Sequence, residues 1–112
     1  MITISELKAQ LRINADDDSE DGLLQIYIEA AASQLQVDIN RTVLASQAEY
    51  DAVNPDPLVD TTDMVLTPNM KLALLLLAGH FYANREAISE VALSEVPLAY
   101  EALITPYRII NL

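Results

Sequence analysis

Residues 14–21, NADDDSED, place five carboxylates in eight positions, a density of oxygen that suits a hard divalent cation. The EF-hand loop tests that idea, because it demands acids in its first, third and fifth places, glycine in the sixth and glutamate in the twelfth. Starting from Asp17, Ser19, Asp21 and Gly22 fall correctly, but the twelfth place is Ile28 and Glu29 comes one residue late. Starting from Asp16, the glycine place holds Asp21 and the twelfth holds Tyr27. Both registers fail, so the run reads as a solvated, turn-forming connection, and no metal is assigned to it.

Other chemistry finds fewer footholds. His80 is the single histidine, with Leu76 and Asn84 four residues to either side. Zinc needs three or four nitrogen, sulfur or oxygen ligands, which this neighbourhood does not supply, so a structural, hydrogen-bonded histidine is expected. There is no cysteine, no nucleophile-elbow glycine pattern, and no second histidine to serve as a base. With only Gly22 and Gly79, no phosphate-cradling loop exists either. The chain reads as a non-enzyme with no catalytic residue, no cofactor and no metal. Arginine beside tyrosine remains, in Arg85-Glu86 and in Tyr107-Arg108-Ile109-Ile110, and that is the composition of an interface anchor. The intradomain alternative is that Arg85 or Arg108 pairs with Glu86, Glu95 or Glu101.

Charge narrows the partners. The formal net charge is −11, and residues 1–63 carry thirteen acids against three bases. Nucleic-acid affinity comes from Lys and Arg displacing counterions, and the six basic residues do not cluster, so sequence-specific DNA binding is not expected. The acid is either a solubilising surface or a wall that repels DNA.

These residues must be held by helices. With 112 residues and 52% hydrophobic content, the chain suits one domain with a modest core. No basic region followed by an apolar core opens it, so a cytosolic origin is the default. A first helix is predicted over residues 4–12, opened by a Thr3-x-x-Glu6 capping box, with Ile4, Leu7 and Leu11 on one side. A second is predicted over 20–38, with Leu24, Tyr27, Ile28, Ala31 and Leu35 as its buried stripe. Residues 41–66 read as a short helix followed by a loop around Asn54-Pro55-Asp56-Pro57.

The next helix starts at Thr67-Pro68 and is predicted to reach residue 86. Its leucines fall all round, so burial on every side is expected, by the other helices or by another copy of the chain. The apolar run from Leu72 to Ala83 is shorter than the ~20 residues of a membrane span. A last short helix begins at Pro97, and Pro106 is expected to end it and release residues 106–112 as an extended tail that docks. The fold class is therefore all-α, a small bundle of four to five helices with that tail.

HFYANREA with EVPLAYEALITPYR, preceded by LKAQLRI, an acidic linker and DGLLQIYIEAAASQL, resembles the head–tail connector (adaptor) proteins of long-tailed bacteriophages. The resemblance spans nearly the whole chain except about residues 41–66. It implies a structural protein of the virion neck, present in the host cytoplasm during assembly. It further implies a homo-oligomeric ring, dodecameric in the virion, between the portal protein and a tail-completion or stopper protein. DNA would pass through the bore, and no membrane is involved. On this reading the helices over 20–38 and 67–86 build the lateral contacts, while the first helix and the tail reach a neighbour or the portal. The segments carried over are the Asn-Arg-Glu turn (Arg85, Glu86) and the tail (Tyr107, Arg108, Ile109, Ile110). Two other classes stay open: a dimeric helical adaptor or regulator that binds a protein in a groove, and an acidic DNA mimic.

Overall fold

A computed structural model describes residues 1–84 and 98–109. Five α-helices lie among them: α1 Ile4–Leu11, α2 Asp21–Ile39, α3 Gln47–Val53, α4 Pro68–Ala83 and α5 Leu98–Ile104. Two strands of two residues each, β1 Val43–Leu44 and β2 Met64–Val65, pair in parallel, Val43 opposite Met64. The helical expectation is met in its main lines.

α1 opens as its sequence dictates. The Thr3 hydroxyl accepts from the Glu6 amide at 3.1 Å, and the Glu6 carboxylate accepts from the Thr3 amide at 3.0 Å. Arg12 caps the other end in the left-handed region, at φ 59°. Eight residues make too short a helix to persist alone, and two ion pairs hold it down. Glu6 meets Lys71 of α4 at 2.5 Å, and the nearly buried Lys8 meets Asp21 at the start of α2 at 2.7 Å.

α2 buries Leu24, Tyr27, Ile28, Ala31, Leu35 and also Ile39, one turn beyond the expected stripe. It ends at Asn40, whose φ of 57° suits a residue that tolerates the left-handed region. α4 begins with the Thr67 hydroxyl accepting from the Met70 amide at 3.2 Å and Pro68 in the first turn. The core lies between α2 and α4, closed by Leu7 of α1 and by Tyr100 and Ile104 of α5.

The structure narrows one expectation and corrects two. Of the two ways to cover α4, the chain's own helices do not suffice: Met70, Ala73, Leu74, Leu77 and Ala78 are enclosed, but Leu72 is 44% exposed and Leu76 only half-buried. Second, α4 stops at Ala83 instead of running on to residue 86. Asn84 leaves the helix at φ −111°, and its side-chain amide takes the His80 carbonyl at 2.9 Å, an orphan acceptor of the last turn. Third, the chain does not extend at Pro106. It tightens into a 3-10 turn, Thr105–Tyr107, which tolerates proline in its opening positions, and extends only at Arg108.

The two strands were not foreseen. Parallel strands cannot be joined by a tight turn, so residues 45–63 form the crossover that returns the chain from β1 to β2, with α3 inside it. Ser46 caps α3, its hydroxyl accepting from the Glu49 amide at 3.2 Å, and α3 contributes no buried residue.

Candidate functional site

Two features of the described structure gather polar or exposed groups in one place: a clasp made by the tail, and the outer sides of α2 and α4.

The clasp sits where α2 ends and α4 begins. α2 has no basic residue in its last turn, so its C-terminal carbonyls and the negative end of its dipole lack a partner from the helix itself. The tail supplies one. The Arg108 Nε donates to the Asp38 carbonyl at 3.0 Å, and the Ile109 amide donates to the Ile39 carbonyl at 2.9 Å. One residue earlier, the Tyr107 hydroxyl accepts from the Thr67 hydroxyl at 3.3 Å and from the Asn69 side-chain amide at 3.5 Å. Tyr100 completes the arrangement from α5. Its buried hydroxyl donates to Asp38 Oδ2 at 2.6 Å, while Asp38 Oδ1 accepts from Gln34 at 2.7 Å. Burial first, and then the bond to the Asp38 carboxylate, pushes the Tyr100 phenol well above its ordinary range.

As far as the described residues go, the tail meets its own domain through Tyr107, Arg108 and Ile109, whereas the resemblance has it reach a neighbour or the portal. Arg108 finds a backbone carbonyl of α2; it was not assigned that partner by the sequence, which offered only acidic side chains. The signal that could have found it is the lack of a basic residue in the last turn of α2. Arg85, Glu86 and Ile110, the other interface candidates, lie outside the described residues, as does the expected helix start at Pro97.

The acidic run folds onto itself. The Asn14 side chain accepts from the Asp16 amide at 3.0 Å, and Asp17 accepts from both the Ser19 amide (3.1 Å) and the Ser19 hydroxyl (2.6 Å). Those two bonds hold the Asp17 carboxyl below its usual range. Among the described residues no group of three His, Asp or Glu side chains is disposed to hold a metal ion. His80 has the Asn84 side-chain amide 3.2 Å from its Nδ1 and a tilted contact with Phe81, an arrangement of helix-end packing.

The outer side of α2 is the other feature. At helical spacing, Ile26, Ala30, Ser33 and Val37 form a strip without a charge, and Ile26 and Val37 are 59% and 70% exposed. An open groove lined by Ser33, Gln36, Val37, Asn40, Arg41 and Thr42 continues it past the helix end. α4 offers a matching strip in Leu72, Leu76 and Ala83. Both helices turn their buried sides into the shared core, so the two strips look outward.

Fold and site together define a small helical protein whose tail packs on its own body and whose acidic chain carries uncharged strips on α2 and α4. The particular family is settled by comparison: the model of the phage gp6-like head–tail connector proteins matches residues 1–108, and the chain belongs to that family. These are structural proteins of the phage neck. No curated protein and no solved structure gives a match.

Proposed function

We infer that copies of this chain assemble side by side into a ring at the virion neck, dodecameric to match the portal. In this reading the ring sits between the portal and the tail-completion protein and lets DNA pass through its bore. The observation that carries the reading is the pair of uncharged strips on α2 and α4. A subunit of charge −11 repels its copies everywhere except where acids are absent, and these two strips are such places. Two different surfaces that look outward from one body favour head-to-tail contact, which closes into a ring when the rotation per subunit permits.

The acidic half supplies the second ingredient. A bore lined by carboxylates repels phosphates and leaves the DNA free to slide. For the tail, exposed Arg108 and the neighbouring Tyr107, Ile109 and Ile110 are the residues proposed to meet the portal, together with Arg85 and Glu86. Purified chain mixed with the portal protein of the same phage tests this under electron microscopy. Rings stacked coaxially on the portal are the predicted outcome, and a portal that remains bare at every ionic strength would refute it.

A further inference from the structure

The crossover between β1 and β2 is costly for what it contributes to the fold. α3 buries no side chain, and the loop after it carries the most exposed leucine of the described chain: Leu58 is 90% exposed and its neighbour Val59 is 63% exposed. A single exposed leucine needs no explanation, but this one is held in place. Pro55 and Pro57 fix the backbone on either side of Asp56. The Asp56 side chain accepts from the Leu58 amide at 3.0 Å, and its carbonyl accepts from the Val59 amide at 3.2 Å. At the base, the Asn54 side chain donates to Asp63 at 3.3 Å, and Arg41 Nε donates to the Thr62 carbonyl at 2.7 Å. Ordering a loop costs conformational entropy, and here no core burial repays it.

We propose that the Pro57-Leu58-Val59 tip is a preformed knob that docks into an apolar pocket rimmed by Lys and Arg on a different protein. The knob supplies the apolar centre of a contact, and its rigidity lowers the entropy lost on binding. The charge around it selects the partner. Asp51 and Asp56 line one cleft with Pro57 and Val59, Asp60 follows the tip directly, and no basic residue occurs between Arg41 and Lys71. Carboxylates so placed repel nucleic acid and anionic lipid surfaces. They also disfavour a second copy, because a chain of net charge −11 meets that acidic loop with like charge. A heterologous protein with a basic rim is the complementary surface. This does not depend on ring formation through α2 and α4, which uses other surfaces.

Full-length chain carrying p-benzoylphenylalanine in place of Leu58, produced in cells making the virus particle, tests the proposal by photo-cross-linking. The expected result is a cross-link to one other protein, at an apolar site flanked by Lys or Arg. That protein, purified, then binds the wild-type chain, and Leu58→Asp weakens the affinity about tenfold or more. The double change Asp56→Asn and Asp60→Asn is expected to flatten the salt dependence of binding. Leu58→Asp leaves the melting temperature unchanged, since the side chain is in water. Absence of a cross-link, a cross-link only between copies, a site without basic residues, or an unaltered affinity overturns the proposal. A cross-link to a protein outside the phage neck supports the knob while contradicting the neck assignment.

Discussion

Tyr100 makes the shortest link between the last helix and α2, and its chemistry sets a measurable pH dependence. Its phenol is held protonated by burial and by the Asp38 carboxylate, so the stability it contributes is fully present below the ordinary tyrosine value of about 10. It is lost as pH rises from there toward the higher folded-state value. Tyr100→Phe is expected to cost about 1.5–3 kcal/mol at neutral pH, the range for a hydrogen bond to a charged group. The same variant loses less stability than wild type between neutrality and strongly alkaline pH, which chemical denaturation at a series of pH values would read out. At acid pH the corresponding group is Glu6. The Lys71 ammonium holds its carboxyl below the usual carboxylate range, so its contribution exists above the unfolded-state value near 4.5 and fades as pH falls through the lowered one. Being exposed, this pair is expected to contribute little. Arg108→Ala removes the guanidinium that meets the Asp38 carbonyl in the last turn of α2 and should lower stability by about 0.5–2 kcal/mol, read as a lower denaturant midpoint with an unchanged slope.

The elements divide into those that make the core and one that does not. α2 and α4 were readable from sequence because their signals are local: the stripe from Leu24 to Leu35 repeats at helical spacing, and Thr67-Pro68 announces a helix start. Equally local is the Thr3–Glu6 capping box. What stayed hidden depends on distant partners. β1 and β2 are two residues each and pair across an excursion of residues 45–63, so no alternation could build up in either. The end of α4 was missed by three residues because Asn84 competes for the His80 carbonyl, a choice that composition does not reveal. The clasp was half legible. The tail's apolar side chains required a docking place, but its site at the α2 terminus follows from tertiary packing. α3, with no buried side chain, is expected to open independently of the core. Hydrogen exchange should show the α3 amides exchanging much faster than those of the buried turns of α2 and α4. Comparable protection would contradict its description as an appendage.

At the scale of the whole molecule, the proposed ring sets solubility against self-association. Under that proposal the charge of −11 keeps copies apart in dilute solution, and the uncharged strips on α2 and α4 are where they meet when the charge is screened. Screening is strong at 1 M salt, where the Debye length is ~3 Å. Leu72, left open by the chain's own helices, is the residue at which the proposed assembly is tested. The most direct test is sedimentation velocity of the full-length chain from low salt to about 1 M, alongside Ile26→Glu and Leu72→Glu. The account predicts a monomer that converts to one large, closed species as salt rises, and variants that fold but stay monomeric throughout. A wild-type chain that remains monomeric across the whole range, or variants that assemble as well as it does, would contradict the claim.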